Sequence, residues 1–220
     1  MTNQNSELKL LLRLGQFFLP FIIGFGVFTI LWLIIPEEVW RDLWPLIPAY
    51  FFPPLGKESI IPTGVLYLKL EPMLVALSIA FVDVIVALFL VWNYDLAKKI
   101  PIIGNFMIKV EEKGKNVEEK YSWVKPLRFI GIILFVMVPF QGSGGLVGSI
   151  VGRLIGMKPW NTFIAISIGA TIGCILIAMF AQAFLIFAEI NTTLTIILII
   201  AIALVVLVYF IIKRRKNKLN

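Results

Sequence analysis

Histidine is missing from the whole chain, and cysteine occurs once, at Cys174. Without histidine, a histidine-based catalytic dyad and the common zinc ligand sets are untenable. A lone cysteine cannot close a disulfide within the chain. Charge is scarce as well: Asp, Glu, Lys and Arg make up 15% of the 220 residues, against 60% hydrophobic residues. The mean hydropathy is +0.95. A soluble domain of that balance would have no polar surface to present to water, so the composition describes an all-α polytopic integral membrane protein of one domain.

The formal net charge of +7 does not point to nucleic acid. Five of the 20 basic residues form the tail at 213–218 and eight fall within 98–128, both flanking apolar runs where cytoplasmic charge is expected. The polar start, with Lys9 and Arg13, reads as cytoplasmic, which places both termini on that side of a plasma or inner membrane. No cleavable signal is evident, because the first apolar run is too long and has no small-residue cleavage site.

Four stretches read as full spans: 16–35, 72–94, 159–188 and 192–212. Pro36–Asp42 follows the first as a net-acidic outer turn, and Gly24 and Gly26 in that first span allow close helix contact. The segment 95–125 is the one long polar stretch. Its apolar residues recur at helical spacing among lysines and glutamates, which predicts a cytoplasmic amphipathic connector broken near Gly114. The end, 213–220, is a basic cytoplasmic tail.

Two apolar stretches cannot run as ordinary helices. Residues 44–68 contain Pro45, Pro48, Pro53, Pro54 and Pro62, with Gly56, Gly64 and the pair Lys57-Glu58. Residues 126–156 are interrupted by Pro139-Phe140-Gln141-Gly142-Ser143-Gly144-Gly145. Proline removes a backbone donor and clustered glycines make a helical turn costly. The two arms of the second stretch each reach roughly 18–20 Å, a little over half of a hydrocarbon core of about 30 Å. Both stretches therefore read as re-entrant hairpins, with tips at Pro53–Ser59 and Pro139–Gly145. Irregular backbone at that depth must be satisfied by protein or by a watery cavity. If both stretches crossed, the basic connector would lie opposite the basic tail, so the positive-inside rule favours hairpins. Pro53-x-x-Gly56 followed by Pro72, and Pro139-x-x-Gly142 followed by Pro159, form a short internal repeat. With the hairpins entering from opposite sides, the halves have inverted topology, as in many secondary transporters.

Lys57-Glu58-Ser59-Ile60-Ile61-Pro62 and Pro139–Ser149 resemble the motifs of the small multidrug export protein family, which is similar in layout to the DedA and VTT membrane proteins. That resemblance implies two opposed re-entrant hairpins and a role in moving lipids, including polyprenyl-phosphate carriers, across membranes. By the same resemblance Glu58 matches the acid of the first hairpin, and Pro139, Gly142 and Gly144 match the loop of the second. Arg153 resembles a basic residue placed after that loop. Ile60 stands where an arginine would follow the acid, and Val82-Asp83 where a glycine–asparagine pair would stand.

From their own chemistry, the candidate substrate- or proton-binding residues are Glu58, Asp83, Arg153, Gln141 and Ser143. An acid near mid-membrane must be protonated, paired or beside water. Glu58 is therefore either an exchangeable proton site or half of a structural pair with Lys57 or Arg153. Asp83 is either a proton or ion site or a clasp on a hairpin backbone. Arg153 offers a planar fork for phosphate, or else snorkels to the interface. Gly144, Gly148, Gly152 and Gly156 form a small-residue stripe for close packing, with Gly169 and Gly173 as a facing surface. Gln141–Gly145 can also present backbone N–H groups to an anion. Gly142-Ser143-Gly144 does not make a serine protease, since no histidine activates the serine.

The sequence thus predicts a transporter, not an enzyme, without cofactor or metal: about four full helices and two opposed re-entrant hairpins. Its expected substrate is an anionic, polyprenyl-phosphate-like lipid, with the proton as coupling ion. Two alternatives remain open: a proton-coupled exporter of amphipathic cations, and a non-transporting assembly factor that docks partner helices on the glycine stripe. Homo-oligomerisation is open to such a chain.

Overall fold

The computed structural model describes residues 2–52, 56–94, 124–139, 144–193, 195–197, 200–201, 204 and 209. The expected connector at 95–125, up to residue 123, the tail at 213–220, and the tip residues Pro53, Pro54, Gln141, Gly142 and Ser143 lie outside them. Among the described residues every regular element is a helix. The chain divides into two compact units, Met1–Met179 and Phe180–Asn220.

Three helices are long and apolar enough to cross a membrane: Leu11–Ile34 within α1 (Thr2–Ile34), α5 (Pro72–Trp92) and α8 (Pro159–Ile190). In the expected span at 192–212 the described residues are helical. Large side chains such as Phe25, Leu33 and Ile34 stand exposed along α1. Such exposed apolar side chains on a helix of spanning length suit contact with lipid or with another apolar surface.

Pro36 introduces α2 (Glu37–Leu43) where the sequence suggested a turn. Its φ of −55° is already helical, and Glu37 and Glu38 in the first turn complement the positive end of the helix. Two more short helices follow, α3 (Leu46–Ala49) and α4 (Lys57–Pro62). Neither is long enough to cross a bilayer. Pro62 has no N–H to continue the ladder, and the next turn, Thr63–Tyr67, widens to π geometry. The wide turn presses Gly64 onto its neighbours. A Cβ there would lie 2.9 Å from Val75 Cγ1 and 3.0 Å from Leu46 Cδ1.

Helix α5 is the most enclosed of the three long helices. Glu71 caps it by accepting from the Leu74 N–H at 2.5 Å. It runs antiparallel to α1: Phe28 meets Phe81, Gly24 meets Ile85 and Phe21 meets Phe89. At the far end Asn93 Nδ2 donates to the Gln16 carbonyl at 3.0 Å. Of Gly24 and Gly26, only Gly24 serves this contact; nothing lies within 4 Å of a Cβ placed on Gly26.

Beyond the connector come α6 (Val124–Met137) and α7 (Gly145–Leu154). The Ile133 carbonyl lies 2.6 Å from a Cβ on Gly169, and Met137 Cα lies 2.9 Å from one on Gly173, so α6 and α8 run parallel. Ile133 is the tenth residue of α6 and Gly169 the eleventh of α8, so the two helices start at nearly one level. Gly148 faces Val136 and Ile166, and Gly152 faces Thr162, so α7 runs against both. The chain enters through α6, which ends at Met137, and returns through α7, which begins at Gly145, to the level at which α8 begins. A core of Ala87, Ile132, Val136, Met157, Ala165, Ile166 and Ala170 holds these helices together. Gly169 and Gly173, expected to face the α7 stripe, instead face the α6 backbone.

Candidate functional site

A helix interrupted inside an apolar body leaves two sets of unsatisfied groups: carbonyls where it stops and N–H groups where it restarts. In water the solvent would satisfy them. Here other parts of the chain do so, and with charges. Val136 supplies one of the last four carbonyls of α6, and it accepts from the Lys57 ammonium. Gly145 opens α7, and its N–H donates to Asp83 Oδ1 at 2.6 Å. The cation sits at the negative end of one helix and the carboxylate at the positive end of the next. Lys57 and Asp83 are each 1% exposed, so both charges lie almost entirely outside solvent.

The pieces that deliver these charges follow from the local sequence. Lys57 is the first residue of α4, released from the chain's proline run by Gly56, which is extended at φ −128° and ψ −176°. Asp83 projects from the middle of α5. Gly145 packs on it so closely that an added Cβ would overlap the Asp83 backbone carbonyl. Close approach of α7 to α5 is what lets a short aspartate side chain reach a backbone N–H on another helix.

Tyr50, just past α3, donates its hydroxyl to the same Asp83 Oδ1 at 2.8 Å. Gly144 completes the pocket, since a Cβ there would overlap the Tyr50 hydroxyl and lie 2.6 Å from Asp83 Oδ1. Asp83 Oδ2 is buried without a hydrogen-bond partner among the described residues. Glu58, next to Lys57, is half-buried, and its carboxyl folds back over Gly56, where a Cβ would meet it. Its Oε2 also has no hydrogen-bond partner among the described residues. Electrostatics link the group: the Lys57 charge acts on Asp83 and the Glu58 charge on Tyr50. Cys174, fully buried on α8, lies within reach of the charges of Asp83 and Lys57.

Arg153 is elsewhere. It sits in the last turn of α7, eight residues and roughly 12 Å along the helix from Gly145. Its Nη1 donates to the Met157 carbonyl at 2.6 Å, and the guanidinium lies 4.8 Å from the Tyr94 ring centre. Nε is buried without a hydrogen-bond partner among the described residues. Gly156, assigned from its spacing to the packing stripe, ends the helix instead. Its φ is +83°, and the Met157 N–H donates to the Gly152 carbonyl at 3.1 Å, which is the bond of a Schellman cap.

The structure therefore brings Glu58, Asp83, Lys57, Gly56, Gly144 and Gly145 to one place and leaves Arg153 at the other end of α7. Pro139 stands exposed at the break. Gly148 and Gly152 pack inside the chain, and Ser149 donates its hydroxyl back to the Gly145 carbonyl at 2.5 Å. Ser59 accepts from the Thr63 hydroxyl at 2.7 Å, so it supports the turn at Pro62. Gln141, Ser143, Gly142, Pro53 and Pro54 lie outside the described residues. Sequence reasoning assigned Lys57 to a hairpin tip and to a pair with Glu58, not to a helix end, and missed Tyr50 altogether. An ionisable side chain in an apolar segment was the available signal for Lys57. No pattern marks Tyr50.

These features define a multi-pass, all-helical membrane protein built around a broken, charge-capped helix. Residues 59–176, just over half of the chain, match the family model described as "Putative small multi-drug export protein", and the chain belongs to that family. The match contains Asp83, the break at 139–144 and Arg153, and begins one residue after Glu58. No curated protein and no solved structure matches the chain.

Proposed function

We propose that this protein is a small proton-coupled exporter of amphipathic cations, with Glu58 as the carboxyl that exchanges a proton for substrate. The observation that carries this reading is the clustering of two acids and one lysine at the helix break, with the arginine engaged elsewhere. Asp83 is the clasp of the break, held by two hydrogen bonds, while Glu58 keeps a carboxyl oxygen without a hydrogen-bond partner among the described residues, on a residue that is only half-buried. With Arg153 bonded to the backbone and stacked on Tyr94, the acids and not the guanidinium meet a substrate at the break. The family description points the same way. In this reading 44–68 and 126–156 are the two opposed re-entrant hairpins, and both termini are cytoplasmic. The return of α7 to the starting level of α6 supports the second hairpin.

The test is uptake of tetraphenylphosphonium into proteoliposomes driven by a pH gradient. Uptake is expected in the wild type and in Arg153→Lys, and is expected to vanish in Glu58→Gln. Wild-type uptake by Glu58→Gln would end the reading.

Translocation of an anionic lipid is the second reading, favoured by the unsatisfied Nε of Arg153 beside the aromatic Tyr94. It predicts that a fluorescent polyprenyl phosphate crosses the bilayer of proteoliposomes, and that Arg153→Ala stops it. The assembly-factor reading has less to stand on, because Gly148 and Gly152 are filled by Val136, Ile166 and Thr162 of the same chain.

A further inference from the structure

The charge-capped break contains one more cation than a satisfied helix end requires of its own side chains. In transporters with discontinuous helices, the unwound carbonyls and the C-terminal end of a half-helix are where a coupling sodium ion binds. Here the C-terminal end of α6 is occupied by an ammonium group covalently part of the chain: Lys57 Nζ donates to the Val136 carbonyl. Two carboxyls belong to the same cluster, Asp83 at the start of α7 and Glu58 over Gly56, and Asp83 Oδ2 and Glu58 Oε2 have no hydrogen-bond partner among the described residues. Lys57 and Asp83 are both 1% exposed, so neither charge is neutralised by water or salt.

We propose that the Lys57 ammonium is a resident counter-cation, filling the place that a monovalent metal ion takes at other broken helices, so that the wild type binds no metal cation there and a variant without the lysine does. The position offers a helix-end carbonyl and exclusion from bulk solvent, and Asp83 lies near enough for the Lys57 charge to act on its carboxyl.

One consequence rests on the transport reading proposed above. With both acids ionised, the lysine balances only one of them, and the site takes up one further positive charge. That charge is a proton or a cationic substrate, and the cycle runs independently of sodium.

The experiment needs no transport assay, so its outcome is separate from that of the transport reading. Thermal unfolding of the purified protein in detergent is followed in sodium chloride and in choline chloride of equal concentration. Wild-type Tm is expected to be the same in both, whereas Lys57→Ser is expected to unfold about 2–4 °C higher in sodium than in choline. A sodium-specific rise in the wild type, or none in Lys57→Ser, overturns the proposal. If Lys57→Ser does not fold, Lys57→Met and Lys57→Met/Asp83→Asn are compared by yield and Tm. The double variant, which removes one charge of each sign, is expected to recover much of what Lys57→Met loses. A double variant no more stable than Lys57→Met also overturns it.

Discussion

Asp83 Oδ1 lies 2.6 Å from the Gly145 backbone nitrogen, joining the middle of α5 to the first residue of α7 across 62 positions of sequence. The same oxygen accepts from Tyr50 at 2.8 Å, so one atom ties α5, α7 and the chain after α3 together. An asparagine can keep an oxygen there; a leucine cannot. Asp83→Leu leaves a buried N–H and a buried hydroxyl without partners, each costing about 1–3 kcal/mol. Asp83→Asn retains the acceptor but leaves the buried Lys57 charge without that carboxylate, so it is expected to lose stability, though less than Asp83→Leu. Thermal unfolding in detergent, followed by circular dichroism, compares them, and equal losses for the two variants would remove the acceptor role.

Glycine at 145 answers to the same geometry. A methyl group there overlaps the Asp83 backbone carbonyl, and backbone cannot move aside as a flexible side chain can. Gly145→Ala is therefore expected to push α7 off α5 and to destabilise the protein by about 1–3 kcal/mol, the range for overpacking a tight contact. Gly26→Ala is the matched control: nothing lies within 4 Å of its Cβ, and alanine is the better helix former by about 0.8–1 kcal/mol. Its Tm should hold or rise.

The apolar runs made α1, α5 and α8 legible, because a span needs only length and composition to be recognised. Proline and glycine marked both interruptions for a local reason, the missing donor and the cost of holding glycine helical. What the chain does with the broken ends was not legible. Asp83 had two readings, and its hydrogen bond joins it to Gly145, 62 residues away, which no local pattern announces. Lys57 stands next to Glu58 and so suggested a local pair, yet its ammonium goes to Val136, 79 residues on. Gly156 kept the four-residue spacing of the stripe, but a positive φ, which spacing does not encode, makes it a cap.

Gly156 and Arg153 close the other end of α7. At φ +83° an alanine is strained, so Gly156→Ala is expected to cost about 1 kcal/mol or more despite its exposed position. Arg153→Lys keeps the charge at the helix end but loses the planar group over Tyr94, and should lower stability by about 0.5–1 kcal/mol. Double-mutant analysis with Tyr94→Leu checks the assignment. The two changes should be less than additive, and full additivity would mean that the stacking contributes nothing.

Cys174 offers a report on the whole arrangement. It is the chain's one cysteine, has no exposed surface, and lies on α8 one residue after Gly173, which touches the α6 backbone at Met137. A reagent such as a maleimide reaches it only when the helices packed around it separate or the protein unfolds. Labelling should thus be slow in the native protein in detergent and complete within the same time in denaturant. Gly173→Leu would force that contact apart, since Met137 Cα lies 2.9 Å from the position of the added Cβ. Such a variant, provided its far-ultraviolet circular dichroism remains helical, is expected to label at least about tenfold faster, corresponding to about 1.4 kcal/mol in the local opening equilibrium. Fast labelling of the wild type would mean that Cys174 is not enclosed, and with it the close packing of α8 against the rest of the charged cluster would be lost.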